Sequence, residues 1–290
     1  MKPAAFTYHA PTSVAECLQL LAAHGEEAAV LAGGQSLLPL MRFRLAQPGH
    51  VVSLRQAGSE LASIERRGDA LLIGARATYA QVQASPLVRA DCPALPRAIA
   101  LIATPAVRSR GTVCGNLCQA DPASELPALA LLLQARLHLH SAGGVRVVPA
   151  GEFFQGPYMT ARRADELLAA VEFPVQPAGQ RVSILEITRL RGGFPLAGLA
   201  LAVVPAGAGW TGFRVSCFGV HPVQLRLAAV EAVLGRQGLG SAALQEAGAA
   251  LEAAIHPHDD AFASAAYRRR ATRTLLERAV AEVCAEPATP

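Results

Sequence analysis

Lysine is almost missing from this chain: Lys2 is the only one among 26 basic residues. The arginines that supply the rest are scattered, apart from the run Arg268, Arg269 and Arg270, and the skew reads as gene base composition rather than function. A net charge of +4 spread this thinly excludes the concentrated basic stripe of a nucleic-acid binder. Long apolar runs are absent too. The most apolar segment, Ala128 to Leu133, falls far short of the roughly 20 residues that span a bilayer. The start MKPAAFTYHAPTS has neither the charged beginning nor the apolar stretch of a signal peptide, so cytoplasmic residence is expected. The six cysteines contain no CxxC pair, which argues for reduced thiols and against a disulfide framework or an iron–sulfur cluster. HExxH, a catalytic triad and a catalytic carboxylate pair are all lacking.

What remains is an ordered chain of 290 residues, 52% apolar and 17% charged, long enough for two packed domains. Its first third alternates short strands and helices. Phe6 to Tyr8, Ala28 to Leu31 and His50 to Leu54 read as strands, and Ser13-x-x-Glu16 as a capping box opening a helix that Gly25 closes. Hairpins are predicted around Arg67-Gly68-Asp69 and Gly143-Gly144, and a strand over Glu166 to Phe173. Between them, Ala103 to Pro127 reads as loop-rich, followed by an apolar helix. Pro174 to Gly179 breaks the pattern and marks the domain boundary. Strand-like runs follow at Val182 to Thr188, Leu196 to Val204 and Phe213 to Gly219, with Trp210 at a hairpin tip or packing edge. Helices come last, at about 225–234, 242–255 and 261–282, and Glu286 to Pro290 reads as a frayed tail. Strands first and helices afterwards indicate an α+β fold.

Two segments carry the chemistry. In Leu31-Ala32-Gly33-Gly34-Gln35-Ser36-Leu37, a strand runs into a glycine turn and then a helix-like stretch, the layout of an anion cradle built from backbone N–H groups. It matches neither GxGxxG nor GxxxxGK[ST], and Leu38 spoils a GxSxG elbow. Alone it reads equally as a plain strand end. The second segment, Arg110 to Pro127, gathers glycine, hydroxyl, amide and two carboxylates. Asp121 or Glu125 suits a ribose hydroxyl, while Asp121-Pro122 also reads as an ordinary helix start. Cys114 and Cys118 lack the third and fourth ligands of a metal site, and no metal is expected. His138 and His140 share one face of a strand, His256-Pro257-His258 reads as a polar turn, and Arg268 to Arg270 as a solvated helix face.

Together, AGGQSLLPLMRFRLAQP and RGTVCGNLCQADPASELPAL resemble the two flavin-binding segments of the FAD subunits of molybdenum hydroxylases, the xanthine dehydrogenase family. The resemblance extends over nearly the whole chain. It implies a two-lobed FAD-binding domain of the PCMH/vanillyl-alcohol-oxidase type over 1–177, with subdomains of about 1–57 and 58–177. A C-terminal sheet-plus-three-helix domain is implied over 178–290. By position, Ala32, Gly33, Gly34, Gln35 and Ser36, continuing to Leu37, wrap the FAD pyrophosphate. Gly111, Thr112, Val113, Cys114, Gly115 and Asn116 approach the cofactor, with Thr112 at a phosphate. Ile102 lies near the flavin, with Thr104 in the same cofactor-binding set; Asp121 or Glu125 faces the adenosine sugar, and Leu168 packs through its main chain. Two departures stand out: Cys114-Gly115 where many relatives have Gly-Gly, and Gly192-Gly193-Phe194-Pro195 where many have Gly-Asp-Phe-Ala.

The implied role is to take electrons from [2Fe–2S] clusters and pass them to an external acceptor within a hetero-oligomer. Its partners would be a large molybdopterin-binding subunit and a small iron–sulfur subunit. A self-contained flavin oxidase and a flavin-free structural module are the alternatives. The first would turn over an organic substrate with oxygen unaided, and the second would be colourless.

Overall fold

The computed structural model describes residues 2–207 and 209–285; the predicted tail, 286–290, lies outside them. The first lobe is a parallel three-stranded sheet ordered β1 (Thr7–His9), β3 (His50–Ser53), β2 (Ala28–Leu31), flanked by α1 (Val14–His24) and followed along the chain from β2 by the short α2 (Leu37–Arg42). Half of the predicted capping box forms. Ser13 Oγ accepts the Glu16 N–H at 3.1 Å, but the Glu16 carboxylate turns to the amide and hydroxyl of Thr12. Gly25, at φ 49°, closes α1 as expected of a residue without a Cβ.

The second lobe is built on a five-stranded antiparallel sheet in the order β4 (Ile64–Arg67), β5 (Ala70–Gly74), β10 (Leu167–Pro174), β6 (Arg136–Ser141), β7 (Gly144–Pro149). Both predicted hairpins form here, pairing Arg67 with Ala70 and Ser141 with Gly144. Its helices are α3 (Tyr79–Ala84), α4 (Pro86–Asp91), α5 (Ala94–Leu101), α6 (Pro105–Arg108), α7 (Val113–Gln119), α8 (Glu125–Leu132) and α9 (Ala150–Phe153). A small hairpin of β8 (Phe154–Gly156) and β9 (Met159–Thr160) completes it. The stretch expected to be loop-rich therefore holds two short helices, α6 and α7. Pro105 opens α6 at its first turn, and the Thr112 hydroxyl caps α7, signals that carry no apolar periodicity. Asp121 does not cap a helix. Its Oδ1 takes the Ala123 N–H at 2.9 Å in a local turn, and α8 begins at Glu125.

Every residue of α8 is buried, because apolar side chains surround it and layers cover it on all sides. One such layer is the C-terminal four-stranded sheet, ordered β11 (Arg181–Thr188), β12 (Pro195–Ala206), β13 (Gly209–Phe218), β14 (Leu225–Arg226). Leu225 and Arg226, expected in a helix, pair with β13 instead, and α10 (Ala228–Gln237) starts after them. Then come α11 (Ser241–Ala254) and α12 (Ala265–Ala285). The last helix starts four residues later than predicted, since Asp260 Oδ1 collects the amides of Phe262 and Ala263 and holds a turn there.

Strand β12 shows how the layers meet. Leu199, Leu201 and Val203 face the core shared with α10, α11 and α12, while the alternating Ala200 and Ala202 face the core of the flavin-type lobes. Large side chains pack the helices and small ones let the lobes approach. Arg268, expected on a solvated face, is 4% exposed and donates to the carbonyls of Leu196 (2.6 Å) and Gly219 (3.1 Å) and to Asp260. Trp210 sits near the β12–β13 hairpin tip, with the Arg181 guanidinium 4.8 Å over its ring. No helix among the described residues is long and apolar enough to cross a membrane.

Candidate functional site

Strand β2 delivers the chain into Ala32-Gly33-Gly34, and the turn after it leads into α2. The amides of Gly34, Gln35, Ser36 and Leu37 find no acceptor among the described residues. Four free donors on consecutive residues cannot be left to chance in a folded chain, and they suit an anion with several oxygens. Gly34 takes φ 73°, the left-handed conformation that bends the turn. At Gly33 the need for glycine is space: a Cβ there would lie 2.8 Å from the Arg110 carbonyl carbon and 2.9 Å from Gly111 Cα, and closer still to the Arg110 oxygen. The two sequence segments therefore touch, backbone to backbone.

The opposing wall is equally bare. Gly111 lies under Tyr79, whose amide donates to the Gly111 carbonyl at 2.9 Å, and a Cβ on Gly111 would come within 2.5 Å of the tyrosine ring. Thr112 Oγ1 accepts the Gly115 N–H at 3.1 Å, and Ser124 Oγ donates to Asn116 Oδ1 at 2.8 Å. Cys114 takes a helical backbone inside α7, so replacing a glycine there costs the fold nothing in dihedral terms. Its thiol points at the Ile73 carbonyl (3.6 Å), and burial pushes its pKa well above the ordinary thiol value. A neutral, buried thiol is neither nucleophile nor metal ligand.

Two open clefts converge on these walls. The first, about 1020 Å³, is lined by Ala32 to Leu37, by Gly111, Thr112, Cys114, Gly115 and Asn116, and by Leu168. The second, about 1540 Å³, is lined by Ile102, Asp121 and Glu125 and, from the C-terminal sheet's side, by Gly192 to Pro195. Gln35, Ser36, Tyr79, Asn116 and Gln119 line both, so the clefts form one continuous groove. Of the residues singled out in the sequence, Thr104 and Val113 stand apart: Thr104 is exposed ahead of α6, and Val113 is buried with its amide on the Ala77 carbonyl.

The groove's chemistry is uneven. At one end Glu125 is 6% exposed, and burial pushes its pKa up to about 8; burial likewise takes Glu186 to about 7. Burial and mutual repulsion favour one proton held by the pair near neutrality. Burial also raises Tyr79 well above the usual phenol range, leaving it a neutral hydroxyl. Gly192, at φ 73°, packs so that a Cβ would meet the Ala103 carbonyl carbon at 2.9 Å. Pro195 is the first residue of β12, where a missing N–H costs little, so that departure is accommodated.

Residues 4–176 match the family described as FAD binding domain in molybdopterin dehydrogenase, and 186–283 the CO dehydrogenase flavoprotein C-terminal domain. The chain belongs to this flavoprotein family. It is 35% identical over 280 residues to the carbon monoxide dehydrogenase medium chain of Afipia carboxidovorans, covering 97% of each chain. It is 33% identical to the nicotine 6-hydroxylase medium subunit of Paenarthrobacter nicotinovorans, over 97% of this chain and 98% of that one. Among solved structures, a chain of carbon monoxide dehydrogenase from Hydrogenophaga pseudoflava superposes with TM-score 0.95 at 35% identity, covering 98% of this chain and 99% of that one. Quinoline 2-oxidoreductase from Pseudomonas putida 86 matches at TM-score 0.92 and 32% identity, over 98% of each chain. Like the rest of this family, the protein is an oxidoreductase component with FAD as its cofactor, a medium subunit of the molybdenum hydroxylase type. The groove fits that cofactor on its own terms: free amides for a diphosphate, glycines where the backbones touch, and apolar walls of Leu40, Ile102 and Val107 for a ring system.

One cluster escaped the sequence altogether. His9, His24 and His50 come from β1, α1 and β3, and their rings meet at the foot of the first sheet. Separations of 15 and 26 residues hold no recognisable ligand spacing; only the parallel pairing of β1 with β3 brings them together.

Proposed function

We propose that this chain is the electron-transfer subunit of a molybdopterin-dependent hydroxylase complex, accepting electrons from [2Fe–2S] clusters on a small subunit and passing them to an external acceptor. Substrate oxidation would take place on a large molybdopterin subunit. The contact of Gly33 with Arg110 and Gly111 carries the reading, because it closes two bare backbones into one diphosphate-sized seat. Bound FAD supplies the one- and two-electron redox chemistry. The residues around it bind and orient: Gly34 to Leu37 offer amides, Thr112 a hydroxyl, Glu125 a protonated carboxyl, and Ala32, Gly111, Cys114, Gly115, Asn116, Asp121, Ile102 and Leu168 complete the proposed contact set, with Thr104 and Val113 outside the groove. We divide the chain into a flavin-binding part, 1–177, and a C-terminal part, 178–290.

The lack of its own cluster ligands fits a partner-dependent role. All six cysteines are free, and four of them are buried singly along the fold. Phe194, which lines the second cleft, is exposed, and so are Phe43 and Leu45 just after α2, Leu190 and Phe262. They are suited to subunit contact. The relatives' substrates differ widely in their printed names, from carbon monoxide to nicotine, as expected if substrate choice resides on another chain.

The test is co-expression with the candidate large and small subunits. A complex that copurifies, carries one FAD per copy of this chain, and has that FAD reduced by substrate only when both partners are present supports the proposal. Isolated chain that oxidises an organic substrate with oxygen would replace it with a self-contained oxidase, and chain that stays colourless after incubation with FAD would end it.

A further inference from the structure

We propose that His9, His24 and His50 form a binding site for one divalent metal ion of the zinc class, outside the flavin groove. The three side chains leave three separate elements: His9 ends β1, His24 ends α1 and His50 begins β3. One nitrogen from each lies within 4.8 Å of the others. His9 Nε2 and His50 Nδ1 are already 2.9 Å apart, and the His24 and His50 rings stack with centroids 3.6 Å apart. A tetrahedral zinc site with Zn–N of about 2.1 Å sets its nitrogens about 3.4 Å apart, so side-chain rotation alone brings the set into range. All three rings are half-buried, which leaves room for that rotation and for a water as fourth ligand.

The apo arrangement lacks another explanation. Among the described residues no carboxylate pairs with any of the three rings, and a single hydrogen bond serves them all. Three converging imidazoles joined by one hydrogen bond leave ring nitrogens whose lone pairs suit a cation between them. Neutral imidazole nitrogens favour zinc, nickel, copper and cobalt over calcium or magnesium. Glu27 faces Gly49, the residue before His50, with its carboxylate 3.8 Å from where a Cβ on Gly49 would be. Because Ala28 pairs with His50 and Leu31 with Ser53, the cluster lies at the end of the first sheet away from the Gly33 turn. An ion there would staple the end of α1 to β1 and β3.

Zinc chloride is titrated calorimetrically into the FAD-loaded full chain carrying Cys284→Ser, which removes the exposed thiol. One zinc per chain is expected, with a rise in Tm of about 5 °C at about 100-fold excess over Kd. His24→Gln, at the last residue of α1, should weaken zinc at least tenfold while flavin content and circular dichroism stay unchanged; His258→Gln, on an exposed turn, should do nothing. His50→Ala should behave as His24→Gln does. Zinc affinity unchanged in His24→Gln, or no saturable binding in the parent chain, would overturn the proposal.

Discussion

Replacing Gly33 with alanine adds one methyl group at the place where the two loops touch. Gly33 does not take a positive φ, so alanine pays no dihedral cost there, and the whole effect is steric. The new Cβ would sit 2.8 Å from the Arg110 carbonyl carbon and 2.9 Å from Gly111 Cα. These are backbone atoms that cannot swing away as a side-chain tip would. Either the Gly33 turn or the 110–111 segment must retreat, and both edges of the proposed seat belong to the same contact. Overpacking by a single methylene-sized group costs about 1–3 kcal/mol. If that cost falls on the cofactor-binding geometry, FAD affinity drops by a factor of about 5 to 150, at about 1.4 kcal/mol per tenfold. Flavin fluorescence during reconstitution of the apo chain measures it directly. Gly235→Ala is the matched control, because a Cβ there meets nothing within 4 Å. FAD affinity of Gly33→Ala within twofold of the parent, with Tm unchanged, would refute the contact and with it the seat.

The buried carboxyl pair sets a pH dependence. Glu125 has its folded pKa raised to about 8 and Glu186 to about 7, so the folded chain binds protons more tightly than the unfolded one. Their stabilising contribution is fully present below about pH 4.5 and fades as pH rises through 7 to 8. The Tm of the flavin-free chain should therefore fall relative to that of Glu125→Gln between pH 5 and pH 8, measured by scanning calorimetry; parallel curves for the two would contradict the shared proton. Arg268→Lys should cost about 2–3 kcal/mol, since a lysine cannot fork to the Leu196 and Gly219 carbonyls and Asp260 at once. Urea denaturation checks it, and a midpoint matching the parent's would mean that the buried guanidinium is dispensable.

Sequence pattern alone reached most of the order of elements along the chain, because strands and hairpins bounded by glycine turns have local signatures. Arg67-Gly68-Asp69 and Gly143-Gly144 name their own turns. It missed α6 and α7, where Pro105 and Thr112 start helices of four and seven residues, too short to show an apolar period. It left Asp121 open between a helix cap and a ribose contact, because an Asx turn and an N-cap use the same residue type, and only the start of α8 after Ser124 separates them. Arg268 was beyond reach for another reason: nothing in Arg268-Arg269-Arg270 distinguishes the residue that turns inward toward two carbonyls from the two that do not. The site was visible as two glycine-bearing segments, but their meeting was not. Seventy-odd residues separate Gly33 from Arg110, and the contact exists because β5 and α3 carry the chain across and back.

That detour explains why the groove needs three structural units. The first lobe contributes the Gly33 turn and, from β2, Ala28 to Val30, and the second contributes Tyr79, Thr112 and Asn116 from α3 and α7. Neither covers the far end, which is walled by Gly192 to Pro195 from the third unit. Gly192 packs against the Ala103 carbonyl, and Gly219 donates its amide to the Pro122 carbonyl at 2.8 Å, so the third wall is tied to the second by backbone at two points on the groove's rim. Ala200 and Ala202 permit that approach by keeping one face of β12 thin. A larger side chain at either alanine would push the sheet outward and lift Gly193 and Phe194 off the groove, with every residue of the Gly33 seat untouched. The position of the last wall is therefore set by small side chains far from any cofactor atom.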